Sequence, residues 1–320
     1  MASWRIRRVA GRMATLFATI IASLLVCFAL SAMTPGDAFT QLELDPAIPP
    51  ATLAALRARY AAQSGVTARL RAWATGLERG KLGYSLAFHR PVASLLRERA
   101  PATLRLLGLA FVLAWLLALF WALSEALLAH SRWGGLLHGV SGALAAAWSS
   151  LPVGFVAVVA LIVAPVAWLA GLADFGGGRA ATWPWLAAAV LACEFIPALY
   201  LQTAQALQTA LGQPFVVAAR ARGLSRARVL WKHVVPNTFD TLIPLGSLTV
   251  TQLLVDTVIV ETLLGWPGLG QLAVSAAAQR DLPLLSAIVL LTSLLVIATG
   301  IVSDLLQLWT NPRLRLEGEV

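Results

Sequence analysis

The chain has 320 residues, of which 59% are hydrophobic and only 12% charged, and its mean hydropathy is +0.78. Soluble domains carry about 25% charged residues, so the composition excludes a water-soluble enzyme or binding module and points to an all-α polytopic membrane protein. The net charge of +9 does not argue for nucleic acid, because the basic residues punctuate apolar runs instead of covering a soluble face, as cytoplasmic loops do.

A membrane-crossing helix needs about 20 mostly apolar residues, and about six such spans are expected. Residues 13–33 carry no charge and form the first. The apolar stretch after four arginines resembles a signal peptide, but it exceeds the usual h-region of roughly 7–15 residues, so a retained helix is expected. Residues 34–101 are expected to be an external loop with short helices, one of them at 51–62. The second span is placed at 106–124. Residues 139–173 are uncharged, too long for one upright helix, and Pro152 and Pro165 are expected to kink or end it. The fourth span is expected at 185–211, the fifth at 241–264 and the sixth at 282–303. Arginines and lysines before span one, after spans two and four, and after span six all fall on one side of a six-span arrangement. Both termini are therefore expected in the cytoplasm.

Few polar residues interrupt these spans. On span four, Glu194, Gln202, Gln205, Gln208 and Thr209 share about a third of the helix circumference. On span five, Thr249, Gln252 and Asp256 recur at helical spacing. Intramembrane carboxylates are costly and usually face a cavity or a partner. Glu194, Gln202, Gln205, Thr249, Gln252 and Asp256 are therefore candidates for a polar translocation path, with hydrogen bonding between helices as the alternative role. Glu261, Trp266, Pro267, Gly268 and Gly270 mark a tight turn at the outer end of span five, where a Trp suits the interface. Cys27 and Cys193 lie in apolar runs and form no disulfide framework. The four histidines are scattered, so no metal site is expected. The run from Gly76 to Leu82 is one residue short of a phosphate-binding loop and lacks its Ser or Thr, so any ATP must be bound elsewhere.

The segment 213–237 is basic and lies between two apolar runs. Pro214 suits a helix start, Ala218, Ala219, Ala221 and Leu224 favour helix, and Gly223 is expected to break it, giving a helix–turn–helix. Ala218, Ala219, Gly223 and Pro236 stand at the spacing of the EAA loop, and the segment resembles that of ABC-importer permeases. Val217 stands where that motif has Glu, His233 where it has Ile, and Val235 where it has Leu. Other stretches resemble the peptide-importer branch: Thr34 to Asp37, Gly83 to Ser85, Arg99 to Leu104, Ser150 to Pro152, Glu261 with Trp266 to Gly270, and Asn311 to Arg313. Asp256 departs from that branch, which has a small residue there.

The resemblance implies the B-type subunit of a dipeptide, oligopeptide or nickel importer with the type I ABC-importer permease fold. Residues 102–320 would be its core. It also implies several partners: a C-type second permease subunit, two ABC ATPase subunits, an external solute-binding protein and the lipid of the bacterial inner membrane. ATP and magnesium would bind the ATPases, with no cofactor on this chain. Val217, Ala218, Ala219, Arg220, Arg222, Gly223, Leu224 and Pro236 would couple to the ATPase. A different mechanism, an ion-coupled secondary transporter using Glu194, Asp256 and Glu261, would call for inverted repeats, and the sequence has no convincing one.

Overall fold

A computed structural model describes residues 18–29, 66–85, 87–128, 132–169 and 184–310. Its elements in chain order are α1 (Ala18–Ala29), α2 (Val66–Glu78), β1 (Tyr84–Ser85), β2 (Arg90–Pro91), α3 (Val92–Leu128), α4 (Gly134–Trp148), α5 (Val153–Leu169), α6 (Pro184–Leu211), α7 (Pro214–Ala221), α8 (Arg226–Val229), a π-turn (Leu230–Val234), α9 (Val235–Leu263), α10 (Leu269–Ala278) and α11 (Leu282–Thr310). Two compact units emerge. One joins residues 1–102 to 267–297, and the other joins 103–266 to 298–320.

Four helical segments are long and apolar enough to cross a membrane: Val92–Leu128, Trp185–Leu211, Arg226–Leu263 and Leu282–Thr310. They carry the expected second, fourth, fifth and sixth spans. Many of their bulky side chains are exposed, among them Phe120 at 73% and Trp309 at 78%, as surfaces facing lipid require. The expected first span is described only over α1, and the expected helix at 51–62 lies outside the described residues. The second span starts earlier than its apolar run. α3 begins at Val92, so its first turns lie in the stretch expected to be loop.

The expected third span is two helices. α4 and the first part of α5 meet at 88°. The turn between them is closed by backbone bonds from Ser149 to Ala145, Ser150 to Ala147 and Leu151 to Trp148, and both serine hydroxyls donate to Ala146 O. Pro152 then opens α5, with its carbonyl accepting from Phe155 at 2.9 Å. α5 continues past Pro165 to Leu169, so Pro152 alone breaks the run. Counting the bent pair as one, the described residues provide up to five spans.

In the unit of residues 103–266 and 298–320, α6 is the central element, with 61% of its apolar window buried. It packs on α4, α5 and α9, and α5 also packs on α9. On α3 the buried side is made of small residues, Ala110, Ala114, Ala118 and Ala122, each 0–1% exposed. Small residues at every fourth position let neighbours approach closely where no water-driven hydrophobic force acts between helices.

The other unit is held by a core of Val92, Leu95 and Leu96 from α3, Leu269, Leu272 and Ala276 from α10, and Leu284, Ala287 and Ile288 from α11. A short hairpin is tied into this unit. Tyr84 pairs with Pro91 and Ser85 with Arg90, and Val92 N–H closes onto Gly83 O at 3.2 Å. Asp281, 1% exposed, holds the hairpin and a helix start together. It accepts from the Ser85 hydroxyl and the Ala87 amide at its Oδ2, and from the Leu284 amide at its Oδ1. Gly83 is required twice over: its φ is +97°, and an added Cβ would lie 3.3 Å from Pro283 Cβ. Replacing Asp281 by Ala strands three donors, two of them buried and each worth about 1–3 kcal/mol. The detergent-solubilised D281A protein is expected to melt well below wild type, with D281N recovering part of the loss.

Candidate functional site

The segment 213–237 folds into the ordered helix–turn–helix that its residues specify. Gln213 is extended, Pro214 occupies the first turn of α7, and its missing N–H costs nothing there. The helix ends in a left-handed turn at Gly223, φ +76°. Leu224 N–H returns to Ala219 O at 3.4 Å and Gly223 N–H to Arg220 O at 2.9 Å, the pair of bonds that defines a Schellman end. A Cβ on Gly223 would meet nothing within 4 Å, so its backbone angle, and not space, demands glycine. Val216 and Ala219 are 1% and 0% exposed and anchor the helix, while Val217 stands out at 67%. Ala218, Ala221, Arg220, Arg222, Gly223 and Pro236 are also exposed, and Leu224 is half-buried.

The helix that carries the fifth span begins not at the expected residue 241 but at Arg226, and Pro236 lies within it. Pro236 has no N–H to give the preceding turn. The chain widens there instead, with Val235 N–H bonding Leu230 O in a π-turn and the Asn237 side chain donating to His233 O at 2.6 Å. The helix therefore passes the proline unbroken.

The polar residues of the spans divide. Gln202, Gln205 and Gln252 are exposed. Thr249 is 2% exposed, and its hydroxyl bonds Leu245 O in its own helix at 2.7 Å, so it presents nothing to a path. Glu194 and Asp256 lie on α6 and α9, which pack on each other, and the Glu194 Oε2 is buried without a partner. Glu261 is fully buried and accepts from the Thr103 hydroxyl at 2.7 Å. That bond makes it a brace between α3 and α9.

At the end of α9, the residue that turns the chain is Gly265, φ +66°, and Trp266 N–H reaches back to Glu261 O at 2.9 Å. Gly268 is extended and caps α10, Gly270 is buried, Trp266 is half-buried and Pro267 is exposed. The glycine that closes the turn precedes the Trp-Pro-Gly motif, and its sequence signal is simply a Gly following the last apolar residue of a span.

A polar cluster missed in the sequence joins three helices. Glu125 of α3 accepts from the Tyr200 hydroxyl of α6 and lies 2.5 Å from His138 Nδ1 of α4. Gln208 Nε2 is 3.4 Å from the same imidazole. Trp121 stacks on Tyr200 at 4.1 Å and donates to Ser141 Oγ at 3.3 Å. These residues are far apart in sequence and no short motif links them. Tyr200→Phe keeps the stack but removes one charge-assisted bond from a site that is 1% exposed. It is expected to cost about 1–3 kcal/mol, seen as a lower melting midpoint in detergent.

Three comparisons bear on the family. The sequence profile described as "Binding-protein-dependent transport system inner membrane component" matches residues 118–316. The Oligopeptide transport system permease protein AppB of Bacillus subtilis is 28% identical over 319 residues, 98% of this chain and 99% of that protein. The Dipeptide transport system permease protein DppB of Escherichia coli is 26% identical over 333 residues, covering 95% and 97%. A solved chain of the MetNI methionine ABC transporter in an inward-facing conformation superposes with a TM-score of 0.57. It covers 68% of this chain and 96% of its own length at 16% identity, a likeness of fold. The matched core contains α4 to α11 and the whole 213–237 turn, and the chain therefore belongs to the family of binding-protein-dependent transport system inner membrane components, multi-pass proteins of the cytoplasmic membrane.

Proposed function

We propose that the chain is the B-type permease subunit of an ATP-driven importer for peptides or similar small solutes, and that 213–237 is where it meets its ATPase. The carrying observation is the α7 turn: an ordered, exposed helix of eight residues, anchored by Val216 and Ala219 and closed by Gly223. A loop that only fixed topology by charge would need no such anchoring. α6 leads into this turn and α9 follows it, so force on α7 passes directly into two packed helices. In this reading the chain has six spans with both termini cytoplasmic. It pairs with a second permease, binds two ATPases that hold ATP and magnesium, and receives solute from an external binding protein. The names of AppB and DppB support the peptide class. Family membership disfavours the ion-coupled alternative, and the intramembrane carboxylates then serve the solute.

The coupling reading is tested with Gly223→Asp. A β-carbon at φ +76° strains the turn by about 1–2 kcal/mol, and the carboxylate adds a charge at the docking surface. In proteoliposomes reconstituted with the ATPases and the second permease, ATP-dependent uptake is expected to fall at least about tenfold while the permease still inserts. Full uptake with normal ATPase retention would refute the role.

For the solute, Asp256 favours a cationic group such as a peptide amino terminus, because an opposite charge stabilises an intramembrane carboxylate. Asp256→Asn is expected to shift uptake away from free-amino peptides toward N-acetylated ones and to change its pH profile. An unaltered preference and profile would exclude Asp256 from the path.

A further inference from the structure

We infer that the α7–α8 turn is an electrostatic docking surface whose partner face on the ATPase is acidic, so that the permease supplies the cations of this contact and the ATPase the anions. The inference rests on the proposed coupling role of 213–237 and adds the chemistry of recognition.

Three observations carry it. Residues 213–237 contain Arg220, Arg222, Arg226, Arg228 and Lys232 and no acidic residue. All five are exposed, and among the described residues none of them has a salt bridge to a carboxylate. Among the described residues, Arg222 Nε donates to Ala218 O at 3.3 Å, inside its own turn, and that bond supplies no counter-ion. The cations are thus held around an ordered turn, where like charges repel, and among the described residues no carboxylate forms a salt bridge with them. The frame itself is fixed by burial of Val216 and Ala219 and by the Schellman bonds at Gly223. Setting topology requires only that positive residues be present near the span; it does not require five of them around an ordered helical turn.

The position beside this patch sharpens the chemistry. Val217 is an exposed aliphatic side chain with Ala218 and Ala221 beside it, so the turn offers a small apolar contact rimmed by cations. An anion on the permease side of this contact, at 217, would have supplied its own pairing group. Its absence leaves pairing to the partner. Anionic lipid is the other polyanion near such a turn, but helices that enter a headgroup layer do so with bulky Trp, Phe or Leu. On α7 itself the exposed apolar atoms belong to valine and alanine, and the bulky exposed side chain of the segment, Trp231, lies beyond α8 in the π-turn. A protein groove that admits small side chains and carries carboxylates at its edge fits better. Rim charges of this kind act mainly on association rate and on salt dependence.

The test uses the full chain in nanodiscs of neutral phosphatidylcholine and the purified ATPase subunits of the same importer, with affinity read at 50 and 500 mM salt. Wild-type binding is expected to weaken about tenfold or more over that range. The pair R220E/R226E is expected to bind about tenfold more weakly at low salt and to lose most of the salt dependence. R220Q/R226Q should fall between them, and all three proteins should melt alike. Binding that is equally tight at both salts and in the charge-reversed protein would overturn the inference while leaving the coupling role intact. No wild-type binding at either salt would overturn the coupling role itself. If the reversed charges left ATPase affinity unchanged but abolished enrichment of phosphatidylglycerol around the protein in mixed nanodiscs, the cations would serve lipid and the inference would fail.

Discussion

A chain in hydrocarbon must satisfy its own backbone, because each unpaired N–H or C=O costs several kcal/mol where there is no water to bond it. Helix interiors meet this demand automatically, so the informative places are the breaks. At Gly223, Gly265 and Arg280 the backbone turns left-handed, and an amide beyond each turn reaches back across it, Leu224 to Ala219, Trp266 to Glu261 and Asp281 to Ala276. At the α4–α5 break, two serine hydroxyls take up a carbonyl. At Pro236, a π-turn and the Asn237 amide absorb the missing donor. Each break has its own local closure, and this is why the chain can reverse sharply without opening its spans.

The same economy governs the side chains. Buried polar groups meet one another across elements: Thr103 with Glu261 and Tyr200 with Glu125 between helices, Ser85 with Asp281 between the hairpin and the turn before α11. Such bonds are valuable mainly because the alternative is a stranded polar group. They also fix which helix faces which, a choice that apolar surface alone leaves undecided in lipid. In the proposed function, the polar groups this scheme leaves exposed, Gln202, Gln205 and Gln252 in the spans and the cations of the α7 turn, are the ones available to solute and ATPase.

How far the sequence could be read follows from the range of each signal. The helix–turn–helix at 213–237 was legible because Pro214, the alanines and Gly223 act within a turn or two of themselves. The helical stretch from Arg226 into α9 was not, because residues 226–236 are basic and precede the apolar run, and the π-turn that carries the helix past Pro236 depends on residues on both sides. The break at Pro152 was legible from the proline and the excessive length of the run. Pro165, the same residue type in the same run, ends nothing. The extension of α3 back to Val92 was hidden by the charges of Arg97, Glu98 and Arg99, which interrupt the apolar run without interrupting the helix. The turn after α9 was legible from its Pro and Gly, but its closing residue is Gly265, one step before the motif that drew notice.

Composition and local order by themselves determined that this chain is a helical membrane protein, roughly where its spans lie and where its basic turn sits, because hydropathy, proline and glycine act over a few residues. Only the tertiary structure decided which polar residues meet. Glu125 with His138 and Tyr200, and Asp281 with the hairpin, are pairs separated by 13 to 196 positions. Nothing in the local chemistry of one member names the other. The pairing comes from how α3, α4, α6 and α9 cross in one unit and how the hairpin lies against the start of α11 in the other. Those arrangements are selected by packing of small faces and by the cost of leaving any buried carboxylate alone.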